Sequence, residues 1–261
     1  MKYIEVLGAF GGRCADKNTT CFHIANNITI DAGNIVVPLA KRAVAIEHIF
    51  LSHSHLDHVL DIAFLIDAFY AIKTKPLNIY GLKESIDDLK EHILNWKIWP
   101  DFSQLDLIDK SSKSIIFHEL KAGDVFNISN LTIEPFLTCH TIPSCGYKIT
   151  KDGVNTVITC DTGVCDNVLK VIEECANLKN LIIECSFPSR FKKLAFDSSH
   201  LTPSLLEDEL KKLSKIDFNI YINHLKPFYI PEIIHEIKAI DILRDAVVLE
   251  DGIEYTIKSS D

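Results

Sequence analysis

The stretch L-S-H-S-H-L-D-H-V-L-D, residues 51–61, sets three histidines and two aspartates into eleven positions. Histidine is otherwise scarce, 11 of 261 residues, so the crowding at His53, His55 and His58 calls for a chemical cause. The stretch follows the apolar run A-I-E-H-I-F-L at 45–51, which reads as a buried strand. It runs into V-L-D-I-A-F-L-I-D-A-F-Y-A-I at 59–72, which has helical periodicity. Residues i and i+2 of an extended segment face the same way, so His53 and His55 aim at one spot. Asp57 and His58 lie where the chain turns into the helix and aim at a neighbouring spot. Neutral imidazole and carboxylate suit zinc, iron or manganese, and the pattern predicts a dinuclear metal site.

Four residues cannot close two metal sites, so further ligands are expected at strand ends. His140 closes I-E-P-F-L-T-C-H, Asp161 closes T-V-I-T-C-D, and His224 closes I-Y-I-N-H. Each is a ligand type placed directly after an apolar run. Asp161, a carboxylate, is the expected bridge between the ions. The remaining histidines, at 23, 48, 92, 118 and 235, lie within elements and read as structural.

Net charge is −9, from 36 acids against 27 bases, which disfavours a long polyanion such as RNA. It leaves room for a small anion held by local positive charge. Hydrophobic residues make up 47%, enough for a sizeable core. M-K-Y-I-E-V-L-G begins as an alternating strand, not as a secretory leader, and no apolar window is long enough to cross a bilayer. A soluble, cytoplasmic chain is expected, with no membrane partner. The eight cysteines form no C-x-x-C pair and read as reduced thiols.

Strands fall into two groups, each followed by helices. T-C-F-H-I-A-N-N-I-T-I-D-A-G (20–33) reads as a hairpin turning at Asn26-Asn27, and A-V-V-L-E-D-G-I-E-Y-T-I (246–257) as a closing hairpin turning at Asp251-Gly252. Thr202 and Pro203 read as the N-cap and first residue of a helix. This pattern predicts an α/β chain, two mixed sheets face to face with helices outside, in one domain over 1–261.

H-S-H-L-D-H, His140, C-D-T-G, the late strand-end histidine and I-T-I-D-A-G together resemble the metallo-β-lactamase superfamily. The resemblance implies an αββα sandwich with metals along one edge. N-W-K-I-W-P-D-F-S-Q-L (95–105), I-E-C-S-F-P (183–188), S-H-L-T-P (199–203) and N-H-L-K-P (223–227) resemble the class II cyclic-nucleotide phosphodiesterases. That family hydrolyses 3′,5′-cyclic nucleotides such as cAMP or cGMP to 5′-nucleotides with two divalent ions. By this resemblance His53, His55 and His140 hold the first ion, and Asp57, His58 and His224 the second, with Asp161 shared. Zinc is the expected metal, and manganese or iron fit the same ligands.

Glu184 and His200 match a pattern in ribonuclease Z enzymes, where a glutamate after a late strand and a histidine in H-x-T serve the phosphate and leaving group. His200, Glu184 and Asp57 are therefore the expected catalytic residues. Trp96, Trp99 and Phe102 are candidates for stacking on the base. One departure stands out: the superfamily usually has glycine at the position of Asp61, so the first turn of that helix is expected to differ. The alternatives are a ribonuclease Z-like RNA-processing enzyme, a thioester or lactone hydrolase, and a non-catalytic metal-dependent nucleotide-binding protein. A small cyclic nucleotide is the expected partner, and a homodimer is compatible with the sequence.

Overall fold

The computed structural model describes residues 4–255, so the last two residues of the expected closing hairpin lie outside the described residues. The described chain forms two compact units. The first takes residues 4–8, Asn18–Leu120 and Asp251–Tyr255. The second takes Ala9–Lys17 and Lys121–Glu250.

The first unit is built on a mixed seven-stranded sheet. Its strands are β1 (Ile4–Gly8), β2 (Cys21–Ala25), β3 (Ile28–Ile30), β4 (His48–Phe50), β5 (Leu77–Gly81) and β6 (Ile115–Glu119), with Glu254–Tyr255 on the far side of β1. β1 to β3 pair antiparallel through the expected turn at Asn26-Asn27, and β3 to β6 run parallel. Helices α1 (Val36–Leu39), α2 (Leu56–Phe69) and α3 (Lys83–Asp88) belong to this unit, and α3 runs on into a π-helical turn, Leu89–Ile93. Val59, Ile62, Leu65 and Ile66 recur at helical spacing on α2 and pack with Ile49, Leu51, Leu77 and Ile79 into one core. Burial of that stripe holds the stretch after β4 helical.

The second unit carries another mixed seven-stranded sheet. Its strands are β7 (Phe126–Ile128), β8 (Leu131–Leu137), β9 (Cys145–Lys151), β10 (Val154–Ile158), β11 (Leu178–Glu184), β12 (Asn219–Asn223) and β13 (Val247–Val248), in that spatial order. β7 to β10 pair antiparallel, and β10 to β13 parallel. Helices α4 (Asp166–Glu174), α5 (Lys192–Asp197), α6 (Pro203–Leu210) and α7 (Ile230–Ala239) complete it. Thr202 caps α6 by accepting from the Leu205 amide at 3.2 Å, with Pro203 in the first turn as expected.

The expected hairpin around Asp251-Gly252 is corrected here. Val247–Val248 joins the sheet of the second unit, whereas Glu254–Tyr255 joins that of the first. The turn itself is present, with Gly252 at φ +76°. Turn chemistry is local, but pairing follows from which sheet edge is open, and the sequence signal reports only the former. Among the described residues no helix is long and apolar enough to cross a membrane.

Candidate metal centre

In the first unit the residues of interest follow two neighbouring parallel strands. Asp31 comes directly after β3, and Ser52 and His53 come just after β4. Asp31 sits at φ +59°, a left-handed conformation that aspartate tolerates better than most residues. This sharp turn sends its fully buried carboxylate toward Ser52. Oδ1 accepts from the Ser52 amide at 2.8 Å, and Oδ2 accepts from the Ser52 hydroxyl at 2.9 Å and His58 Nδ1 at 2.7 Å. The Ser52 hydroxyl also meets His53 Nδ1 at 2.9 Å. With Nδ1 engaged, each imidazole turns its Nε2 edge toward the neighbouring ligand types. His53 Nε2 lies 3.0 Å from His55 Nδ1, and His58 Nε2 lies 4.0 Å from Asp57 Oδ2.

The D-A-G loop also explains Asp61. The Ala32 amide donates to His58 O at 2.7 Å, and the Asp61 amide donates to Ala32 O at 2.8 Å. The loop is wedged against the first turn of α2, so a Cβ on Gly33 would stand 2.2 Å from Asp57 O. Asp61 Oδ2 then accepts from the amides of Ile35 (2.5 Å) and Val36 (2.8 Å), satisfying the N-terminus of α1. The aspartate serves as a cap supplied from another helix.

In the second unit the site residues stand at the C-terminal ends of β10, β11 and β12, adjacent parallel strands. That edge is where open α/β sheets present their ligands. Asp161 follows β10, Glu184 is the last residue of β11, and His224 follows β12. His224 takes φ +62°, its amide donates to Ala9 O at 2.6 Å, and a Cβ on Gly11 would lie 2.5 Å from its ring. Only glycine lets the 9–13 segment pass so close.

His224 Nδ1 meets Ser186 Oγ at 3.0 Å, and His140 Nδ1 donates to Ser199 O at 3.0 Å. Their Nε2 atoms lie 3.1 Å and 3.9 Å from Asp161 Oδ2. His140, Asp161 and His200 each offer a ligand atom within 4.8 Å of the others, as do Glu184, His200 and His224.

Glu184 is fully buried and surrounded by donors. Oε1 accepts from the Thr162 amide at 3.0 Å and His200 Nδ1 at 2.6 Å, and Oε2 accepts from Ser186 Oγ at 2.7 Å and the Leu201 amide at 3.2 Å. Burial pushes the Glu184 pKa up, but the His200 charge and hydrogen bond outweigh it and hold it below the ordinary value. Burial likewise pushes His200 down, yet the Glu184 charge and hydrogen bond leave it raised. His140 is lowered, chiefly by burial.

The donor set fits divalent ions. Two ligands on one tetrahedral zinc, at about 2.1 Å each, stand roughly 3.4 Å apart. Donor spacings of 3.0 Å in the first unit and 3.1–3.9 Å in the second match that range.

Three sequence-based readings need correction or sharpening. Cys139 and Cys165 are joined by a disulfide, contrary to the expectation of reduced thiols throughout, whereas Cys14, Cys21, Cys145, Cys160, Cys175 and Cys185 are free. The pair is 26 residues apart in sequence; the Cys139 amide donates to Thr162 Oγ1 and the Gly163 amide donates to Cys139 O, which bring the two segments together. Of the aromatic candidates, Phe102 is core and Trp99 packs edge-on against Phe64, which leaves Trp96, 56% exposed, as the one open face of the three. The roles of Asp31, Ser52 and Ser186 were not singled out from sequence. A buried carboxylate or hydroxyl immediately after an apolar strand was the available signal.

Comparisons with known proteins support the fold. Against the crystal structure of the metallo-beta-lactamase fold protein YhfI from Bacillus subtilis, the chain aligns with a TM-score of 0.74 over 97% of each chain, at 20% identity. Unliganded yeast PDE1 aligns with a TM-score of 0.79 over 95% of this chain and 97% of that one, at 19% identity. The chain therefore has the α/β metallo-β-lactamase fold, the class expected from its sequence. In sequence, residues 39–160 match the family described as cAMP phosphodiesterases class-II. A 3′,5′-cyclic-nucleotide phosphodiesterase of Aliivibrio fischeri is 28% identical over 271 residues, covering 84% of this chain and 80% of the relative. A ribonuclease Z of Methanococcus maripaludis is 32% identical over 103 residues, but covers only 39% of this chain and 30% of the relative.

Proposed function

We propose that the chain is a dinuclear-metal hydrolase that opens 3′,5′-cyclic nucleotides, cAMP or cGMP, to 5′-nucleotides. In this reading His53, His55 and His140 hold one ion, Asp57, His58 and His224 hold the other, and Asp161 is shared. The observation that carries it is the shared orientation of four imidazoles. His53, His58, His140 and His224 each have Nδ1 against a serine, a carboxylate or a carbonyl, with Nε2 turned toward another of the proposed ligands, His55, Asp57 or Asp161. Surface histidines have no reason to share one such orientation.

When bound, two divalent ions supply Lewis-acid charge and a nucleophile at neutral pH. Asp57 and Asp161 orient and partly neutralise them, leaving net positive charge for a phosphodiester monoanion despite the acidic chain. The 3′-oxygen leaves with developing negative charge and needs a proton. His200 holds one: Glu184 accepts from Nδ1, raises the pKa, and leaves Nε2–H to donate to the leaving oxygen. Glu184 thus acts through His200.

Ribonuclease Z chemistry is the second reading, favoured by the Methanococcus relative and by the Glu184–His200 pair. Against it stands the charge of −9, which repels an RNA backbone. The test is a panel of cAMP, cGMP, pre-tRNA and a thioester with the metal-loaded protein. Turnover of a cyclic nucleotide with little RNA cleavage is expected. The reverse ranking would establish the nuclease, and binding of cAMP without turnover under any metal would favour the non-catalytic reading.

A further inference from the structure

Ser186 belongs to I-E-C-S-F-P and is fully buried, two residues after Glu184. A serine hydroxyl has one proton to give and two lone pairs. The Ser186 proton goes to Glu184 Oε2, at 2.7 Å. Its oxygen is then free to accept, and His224 Nδ1 is 3.0 Å away, with His200 Nδ1 at 3.2 Å. His200 gives its own Nδ1 proton to Glu184 Oε1 at the shorter distance of 2.6 Å. One hydroxyl and one carboxylate therefore fix two rings, His224 and His200, whose centroids lie 5.3 Å apart and nearly parallel.

We propose that Ser186 is a positioning residue that locks His224 in the Nδ1–H tautomer and ties that ring to the Glu184–His200 pair. The inference rests on the metal-binding reading of His224 given above. In the other tautomer Nε2–H would donate to Asp161 Oδ2, 3.1 Å away, and His224 would have no Nε2 lone pair to offer a metal. Ser186 prevents this because its single proton goes to Glu184 Oε2 at 2.7 Å, or over the longer 3.2 Å to the His224 carbonyl, so toward the His224 ring it accepts. The same hydroxyl also constrains the carboxylate that orients His200, so loss of Ser186 loosens both rings at once.

The test is Ser186→Ala, a small deletion in the core, with Ser186→Thr as the variant that keeps the hydroxyl. Zinc affinity is measured by competition with a chromogenic chelator, alongside the visible spectrum of the cobalt-substituted protein. Ser186→Ala is expected to weaken one of the two zinc sites by about 10- to 100-fold, as is usual for partners of metal-ligating histidines, and to alter the cobalt spectrum. Its kcat should fall with little change in KM, and Ser186→Thr should restore part of both. In a His224→Ala background, Ser186→Ala should cost little further zinc affinity, because the ring it positions is gone.

Wild-type zinc affinity and spectrum in Ser186→Ala, or the same further loss with and without His224, would overturn the proposal. Wild-type protein that bound zinc but hydrolysed no cyclic nucleotide would sink the proposed substrate while leaving this inference standing. Protein that bound no zinc at all would sink both.

Discussion

Replacing Asp31 by asparagine isolates the principle on which the first unit's ligand set depends. The two side chains have nearly the same shape, and asparagine is at home at the φ of +59° found there, so the turn should survive. Oδ1 can remain an acceptor for the Ser52 amide, now 2.8 Å away. The amide NH2 then replaces Oδ2, which in the wild type accepts from His58 Nδ1 at 2.7 Å and Ser52 Oγ at 2.9 Å. A donor now faces a donor. His58 must move its proton to Nε2, losing the lone pair it would offer the proposed metal, or give up the contact.

Losing a hydrogen bond to a charged acceptor costs about 1.5–3 kcal/mol. Partners of metal-bound histidines are worth about 10- to 100-fold in affinity, which is the same size, roughly 1.4–2.7 kcal/mol. Asp31→Asn is therefore expected to weaken zinc binding by about that factor, read by chelator competition, with near-UV circular dichroism confirming a native metal-free fold. A folded Asp31→Asn protein that held both ions as tightly as wild type would refute the tautomer argument.

His200→Ala should reduce kcat by about 100-fold or more, in the range of a lost general acid, while metal content stays near wild type; loss of an ion, measured by elemental analysis, would instead make His200 a ligand. Because His200 donates while protonated and its pKa is raised above 6.5, activity should decline as pH rises past that raised value; Glu184→Gln should shift this limb to lower pH in a kcat–pH profile. Buried Lys73 donates to Ile46 O at 2.6 Å and Val44 O at 3.3 Å, and burial lowers its pKa from 10.5 to about 8. The unfolded chain then binds more protons than the native one between those values, so Lys73 contributes a pH-dependent gain of about 3 kcal/mol in stability as pH rises through that window. Lys73→Met should flatten this rise in urea midpoints measured at pH 8 and pH 10.

The site was legible where chemistry is written in local pattern. H-x-H-x-D-H after an apolar run predicts clustered side chains because period-two and helical geometry fix where they point, and the structure brings His53 to His55 and Asp57 to His58. His140, Asp161 and His224 were legible for a related reason, each being a polar ligand closing a run that must be a buried strand. The supporting layer was harder to see. Asp31, Ser52 and Ser186 act through partners 21, 1 and 38 positions away, and a lone aspartate or serine carries no spacing rule. Asp61 is the clearest case: read as a departure from glycine, it caps α1 from 25 positions along the chain. The closing hairpin and the Cys139–Cys165 bond escaped for the same reason, since both depend on which strands become neighbours.

If these histidines and aspartates hold a pair of catalytic cations, as proposed, the metal can be counted. Protein purified without chelators and reconstituted with zinc should carry two ions per chain by elemental analysis, and cAMP hydrolysis should rise as they are restored. One ion or none at saturation, or full cAMP turnover after both are stripped, would contradict it.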